Sequence, residues 1–493
     1  MNLPVEIYCA AAVRRIDREA VDKAGIPGYE LMQRAAQSAL DAAIAAWPSA
    51  RRWQVVCGGG NNGGDGYVLA RLAAERGMQV AVTALSPADA LRGDAATAYR
   101  DFVASGGSAN PWNGSLDRHA EVLVDGIFGS GLDRAVEGKF ADAIAAINSH
   151  PARVLALDLP SGLSADKGQV LGIAVRADLT VTFVGLKAGL YLGDGPAHAG
   201  RVTFASLDIP ASCRALETPL MRRLDDAAIA AALPPRKAHA HKGDFGHVIV
   251  VGGSPGMAGA VRLCGEAALR SGAGRVTIVT HPGHCTAVHA GVPALMCHEV
   301  AVPAVAETLL ERATAIAVGP GLGTGEWGHG LWQAVLSRQT PLVVDADALN
   351  LLATDPLRRK DWVLTPHPGE AARLLRTTAK AVQADRLGAL AALEERYGGT
   401  VVLKGAGTLV SASDGAPWLC THGNPGMASA GMGDVLTGIV AGLLAQGLAA
   451  EKAAAIAVVV HARAADAAAG GAPRGLVASD LMRPLRELVN PCV

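Results

Sequence analysis

Short blocks of consecutive apolar residues alternate along this chain with glycine-rich polar loops, and the loops lead into stretches with apolar positions at helical spacing. Residues 13–47 read as helical: Ile16, Ala20 and Val21 follow the period, and Tyr29, Leu31, Met32, Ala35 and Ala36 continue it after a Gly25 to Gly28 break. Residues 53–57 predict a buried strand that enters the loop GGGNNGGDG, residues 58–66. A helix with Val68, Leu72 and Ala73 on one face follows, with Gly77 as its stop. Residues 79–85, 122–125, 154–158, 178–185 and 201–207 read as further strands. The second half repeats the rhythm, with strands predicted at 247–251, 275–280, 315–318, 341–344, 362–365 and 400–403 and a helix through Ala260, Ala267 and Leu269. This repetition predicts an α/β chain of parallel sheets with functional loops along one edge. Between the halves, Pro210, Pro219, Pro234 and Pro235 frame a short helix at 225–232, and residues 236–243 are basic and turn-rich. That is a linker, so two doubly wound domains are expected, residues 1–215 and 216–493.

Bulk properties narrow the function classes. A length of 493 residues suits two or three domains of ~100–200 residues. A formal net charge of -1 supplies no general basic field for nucleic acid. The 8 cysteines include no C-x-x-C pair, which reads as reduced thiols rather than a disulfide framework or a zinc site. The first twenty residues carry Glu6, Arg14 and Arg15 and no signal-type apolar block. The longest uncharged run, 435–450, contains Thr437, Gln446 and glycines, and falls short of the roughly 18 apolar residues of a membrane span. A soluble, cytoplasmic protein without membrane or nucleic-acid partners is expected.

The loops carry the chemistry. Gly58, Gly60 and Gly63 satisfy G-x-G-x-x-G, but the next strand ends at Ser86 and the first acid, Asp89, lies past a proline. The dinucleotide fingerprint is therefore incomplete, which speaks against hydride transfer. Asn61 and Asn62 are either left-handed turn residues or ligands. Asp125, Asp158 and Ser161 follow strand ends, where open α/β sheets bind ligands. With Asn62 they suit a hard-oxygen cation site plus a catalytic carboxylate; each acid alone could be a helix cap. A loop with Gly189, Gly193, Gly195 and Pro196 is placed to border that crevice.

In the second half, Gly423, Gly426, Gly431 and Gly433 surround Asp434 just ahead of an apolar helix. Uncovered amides at a helix N-terminus attract anions, so Asp434 is either a cap or a base held beside a phosphate. Lys404, Gly405, Ala406, Gly407 and Thr408 suit phosphate equally as well as a β-turn with a capping Thr. His367 sits between prolines at a strand end, and Asp345 and Asp347 read as loop braces or a cap. No P-loop is present, and neither His239 with His241 nor His281 with His284 and Cys285 has a completing metal ligand nearby.

CGGGNNGGDG, DGIFGSGL and DLPSGL, in this order, resemble the epimerase domain of NAD(P)H-hydrate repair enzymes over about residues 10–210. HKGDFGHVIVVGG, GPGLG, DADALN, TPHPGEAARLL, KGAGT and NPGMASAGMGDVLTGI are similar, in order, to the ribokinase-like dehydratase half of the same family over about residues 235–490. The resemblance implies a Rossmann-like domain that interconverts the R and S epimers of hydrated NADH and NADPH. There Asn61, Asn62, Gly63, Gly64 and Asp65 would hold the hydrate. Gly129, Ser130, Gly131, Leu132, Asp133, Arg134, Ala135 and Asp158 would line it, with Asp158 the acid/base. Asn62, Asp125 and Ser161 would coordinate K⁺. It further implies ADP-dependent dehydration of the S-hydrate in the second domain, with Mg²⁺ accompanying the nucleotide and AMP and phosphate released. Ala260, Gly323, His367 and Asp434 would contact the hydrate, and Lys404, Gly405, Ala406, Gly407, Thr408 and Gly433 the adenine nucleotide. The implied partners are small molecules, with assembly as a homo-oligomer. An ATP-using ribokinase-like small-molecule kinase is the alternative, though it leaves the first domain unused; a non-catalytic scaffold fits poorly with the intact acids.

Overall fold

The computed structural model describes residues 3–224 and 226–490. The chain divides into two compact units, Met1–Arg222 and Arg223–Val493. The short helix expected at the junction is Asp226–Ala232 and falls within the second unit; Asp225, where the sequence reading began it, lies outside the described residues. Among the described residues no helix is long and apolar enough to cross a membrane.

In the first unit the sheet is built from β1 (Arg52–Cys57), β2 (Gln79–Ala84), β3 (Ala109–Pro111), β4 (Val122–Gly126), β5 (Arg153–Leu157), β6 (Leu179–Phe183) and β7 (Arg201–Ala205). They lie in the order β3-β2-β1-β4-β5-β6-β7, every pair parallel. Val55, Val56, Leu123, Val124 and Leu155 are fully buried, as strands covered on both faces must be. Around the sheet lie α1 (Ala10–Asp22), α2 (Gly28–Ala46) and α3 (Asn61–Glu75). The helix α3 begins at Asn61, so the glycine loop after β1 is shorter than the sequence suggests, and Asn61 and Asn62 are helical rather than left-handed. Close packing explains the helical glycines: a Cβ on Gly63 would lie 2.1 Å from the Gly58 carbonyl oxygen, and one on Gly64 2.6 Å from the Met32 methyl.

The second unit contains β8 (His247–Val251), β9 (Arg275–Thr280), β10 (Met296–Glu299), β11 (Ala315–Val318), β12 (Leu342–Val344), β13 (Trp362–Leu364), β14 (Thr400–Leu403), β15 (Thr408–Val410) and β16 (Trp418–Cys420). Within this unit the order is β10-β9-β8-β11-β12-β13-β14-β15-β16; the pairs are parallel up to β14 and antiparallel beyond it. The apolar helix α6 (Met432–Ala445) packs on α4 (Ala258–Arg270), while α5 (Pro368–Leu375) follows β13. A Cβ on Gly438 would lie 2.1 Å from the Cys264 carbonyl oxygen, so the two helices meet backbone to backbone there.

Candidate functional site

In the first unit, β1, β4 and β5 are parallel neighbours and deliver their loops to one sheet edge. Asp125, near the end of β4, is fully buried. Its Oδ1 accepts from the Ser161 hydroxyl at 2.5 Å and the Ile127 amide at 3.2 Å, and its Oδ2 accepts from the Ser161 amide at 2.8 Å. Burial pushes Asp125 up to about 6 against those hydrogen bonds. Asn62 is buried too, and neither its amide oxygen nor its amide nitrogen finds a hydrogen-bond partner. A buried orphan of this kind needs an explanation. A cation would account for the amide oxygen, though not the amide nitrogen, since Asn62, Asp125 and Ser161 could offer it an amide, a carboxylate and a hydroxyl oxygen.

Asp158 follows β5 in the left-handed region, with φ 67, a strained position for a residue with a side chain. Its Oδ1 accepts from the Phe183 amide at 3.2 Å and from the Lys187 ammonium. Lys187 is itself buried, and its Nζ donates further to the Thr182 hydroxyl at 3.1 Å and the Phe183 carbonyl at 2.7 Å. Burial pushes Asp17 up to about 6, with Lys187 opposing and Asp158 adding to the rise. Asp65 is raised well above the ordinary carboxylate range by burial and then by the Asp158 and Asp17 charges. These acids, Lys187, Asn61, Asn62 and the segment from Gly129 to Arg134 line one cavity of about 840 Å³. Gly63, Gly64 and Ala135 are not part of its lining, and neither are Gly189, Gly193 and Gly195 of the loop read as bordering it.

In the second unit the centre is an ion pair. The Lys404 ammonium donates to Asp345 Oδ1 at 2.8 Å and lies 3.8 Å from Glu370 Oε2. The Thr437 hydroxyl, from α6, donates to Asp345 Oδ2 at 2.8 Å. Burial alone would raise Asp345, but the Lys404 charge and these hydrogen bonds outweigh it and hold the carboxylate below its ordinary range. A Cβ on Gly433 would stand 3.2 Å from Lys404 Nζ, so the start of α6 sits directly on this pair. The N-cap of α6 is Gly431, with φ 88 and no side-chain cap. Asp434, in the first turn, is therefore not spent on capping. Burial, then the Asp345 charge, pushes it up to about 7 against the pull of Lys404.

His367 caps α5: its Nδ1 accepts from the amides of Gly369 at 2.9 Å and Glu370 at 3.3 Å. Burial and the Lys404 charge lower its pKa, in keeping with a neutral, accepting imidazole. The Gly323 amide donates to Asp347 Oδ2 at 2.8 Å, which makes Asp347 a loop brace. Ala260 faces the same loop, its Cβ 3.4 Å from where a Cβ on Gly321 would be. In the 404–408 loop, Thr408 donates to the Gly405 carbonyl at 2.9 Å. The loop thus contains the turn bond of one reading, while the Lys404 ammonium is engaged with Asp345 rather than presented alone.

Two family models match: residues 248–486 match the one described as NAD(P)H-hydrate dehydratase, and residues 28–189 the one described as YjeF-related protein N-terminus. The bifunctional NAD(P)H-hydrate repair enzyme Nnr of Coxiella burnetii is 47% identical over 487 residues, covering 98% of this chain and 99% of the relative. The chain belongs to the bifunctional NAD(P)H-hydrate repair enzyme family. The Escherichia coli member is 42% identical over 492 residues, covering 100% of this chain and 95% of its own. A crystal structure of a ribokinase-like superfamily protein from Enterococcus faecalis aligns at 28% identity with a TM-score of 0.52, covering 55% of this chain and 96% of that one. The ribokinase-like fold expected of the second unit is thereby established.

Sequence reasoning missed three side chains of this repair-family chain. Asp17 lies four residues after Val13 and three before Ala20, both buried, so it interrupts an apolar helical stripe. Lys187 is a lone cation within an apolar run. Arg386 is buried and donates to the carbonyls of Leu403 at 3.0 Å and Gly407 at 3.1 Å, pinning both ends of the 404–408 loop; burial pushes it down to about 10. The first two left a legible signal, a charge where periodicity demands an apolar residue. Arg386 left none.

Proposed function

We propose that the protein repairs hydrated nicotinamide cofactors. The first unit interconverts the R and S epimers of hydrated NADH and NADPH, and the second dehydrates the S epimer with ADP, releasing AMP and phosphate. The observation that carries the reading is full-length likeness to bifunctional repair enzymes together with Asp434 standing uncapped in the first turn of α6.

Hydroxide is a poor leaving group at neutral pH, so the hydrate's C6 hydroxyl must be converted into a better one. Asp434, pushed up to about 7, is matched to taking that proton near neutrality. The oxygen then attacks the terminal phosphorus of ADP, and the bond to the AMP oxygen breaks. The Gly433 amide and the neighbouring amides of the helix N-terminus hold the phosphoryl oxygens as charge shifts. The ring nitrogen's electron pair expels phosphate from C6, and loss of the C5 proton restores the dihydronicotinamide. Mg²⁺ would neutralise phosphate charge while using few protein ligands, which suits a chain with no carboxylate–histidine cage among its described residues. In the first unit Asn62, Asp125 and Ser161 would hold K⁺, which would fix positive charge beside the cavity. We place the protein in the cytoplasm, a reducing compartment that suits cysteines without C-x-x-C spacing.

The test is to supply R and S hydrates separately, with and without ADP, and follow the absorbance of the reduced nicotinamide. Recovery from S should require ADP, and R should be recovered faster than its spontaneous epimerisation allows. No recovery from either hydrate with ADP present would sink the reading. A kinase would instead consume ATP and accumulate a stable phosphate ester.

A further inference from the structure

Inverting the hydrated carbon calls for two proton carriers in opposite states. C6 of the hydrate bears a hydroxyl and is bonded to the ring nitrogen, N1. When a base removes the hydroxyl proton, the oxygen pair forms a C=O bond and the C6–N1 bond breaks. Its electron pair stays on N1, which must receive a proton. Rotation offers the other face of the carbonyl, and the reverse steps close the ring with inverted configuration. No proton is consumed over the cycle and nothing is oxidised. At the start, however, one group must be ionised and another protonated.

The cavity of the first unit separates its acids in this way. Asp158 Oδ1 accepts from the Lys187 ammonium and the Phe183 amide, the donors a base's carboxylate needs. An ammonium has three N–H donors. Those of Lys187 are directed at Asp158, the Thr182 hydroxyl and the Phe183 carbonyl, so the cation is committed to Asp158's side of the cavity. Asp17 enters the same cavity from α1, beside the buried Val13, Ile16 and Ala20. The groups that act on it from other elements are Lys187, which favours its charge, and Asp158, which opposes it; Asp65 lines the same cavity and is itself raised by the Asp17 charge. Arg14, Arg18, Asp22, Asp94, Asp133 and Arg134 complete the charged lining, and the Arg14 guanidinium donates to the Ser130 carbonyl at 3.2 Å.

We propose that Asp17 is the second proton carrier of the epimerising cavity, the neutral acid that works with Asp158 as base. This rests on the epimerase reading of the first unit. Asp17 lies outside every motif that carries the family resemblance.

The test uses the full chain and follows R-to-S exchange by chromatography without ADP, with ADP-dependent dehydration of S as an internal control. Asp17→Asn is expected to slow exchange about 100-fold, the low end of what a positioned acid contributes, while dehydration of S stays within twofold of wild type. The wild-type exchange rate is expected to fall as pH rises through about 6, because the acid must be protonated, and that limb should vanish in Asp17→Asn. Asp17→Glu should restore part of the rate and keep a basic limb at a displaced pH. Unchanged exchange and an unchanged pH profile in Asp17→Asn would overturn the assignment alone. If Asp17→Asn does not fold, Asp17→Glu decides, and an undisplaced limb there overturns the assignment. A wild-type chain that does not accelerate exchange overturns the assignment and the epimerase reading together.

Discussion

A buried carboxylate that must be ionised to act works against the fold that holds it, and Asp434 shows this at the scale of one residue. Its pKa is raised from 3.8 to about 7, with burial the largest cause. As the proposed base it must be deprotonated to act, so the dehydration rate should fall as pH drops through about 7, and Asp434→Asn should remove activity by about 10²-fold or more. The stability sign is the reverse. A raised carboxylate opposes folding where it is ionised, fully above about pH 7 and not at all below the unfolded value. Thermal melts should therefore show Asp434→Asn more stable than wild type at pH 8, by less at pH 5; an Asn variant that melts lower at pH 8 would contradict the burial argument. Asp125 gives the matching test for the cation. Its raised pKa and the orphaned Asn62 amide predict that KCl raises Tm over choline chloride at equal ionic strength, by about 2–4 °C for each kcal/mol gained. The gain should be larger at pH 8 than at pH 5, because the ionised carboxylate binds the cation, and it should disappear in Asp125→Asn.

At the scale of elements, buried parallel strands were legible because both faces are covered and the apolar runs are continuous, as in β8 and β11. The edge strand β10 was not: Met296 and Glu299 are exposed, and MCHE carries no apolar run. The short antiparallel β15 and β16 are decided by pairing, β15 with β14 and β16 with β15, rather than by their own composition. The loop after β1 was read too long because glycine signals a turn by default, and only the packed structure shows that Gly63 and Gly64 are small to admit neighbours. The same logic makes a prediction for α6, whose Gly438 touches the Cys264 carbonyl of α4. Gly438→Ala must push the helices apart, at a cost of about 1–3 kcal/mol by overpacking. Because Asp434 and Thr437 ride on that helix, ADP-dependent dehydration should fall while R-to-S exchange is unchanged. Equal loss of both activities would mean that the helix does not act through its own site.

The two candidate sites lie in separate units of the chain, each built at the loop edge of its own sheet, and this gives the molecule a division of labour that can be tested as a whole. Family motifs pick out residues of both candidate sites, but the charged side chains beside those residues are distant in sequence: Lys187 beside Asp158, and Asp345, Lys404 and Glu370 around Asp434. Periodicity cannot report contacts between residues so far apart. If the sites are chemically independent, each can be silenced alone. A mixture of R and S hydrates given ADP and Asp158→Ala should recover in two phases, a fast one for S and a slow one at the spontaneous rate of epimerisation. Asp434→Asn should recover nothing, yet still equilibrate R with S. Mixing the two variants should then restore recovery of both epimers at close to the wild-type rate, because the S-hydrate released by one chain is a substrate for the other. Persistence of the slow phase in the mixture, at variant concentrations that saturate each separate activity, would show instead that the epimer is not shared through solution and that both sites must be intact in one molecule.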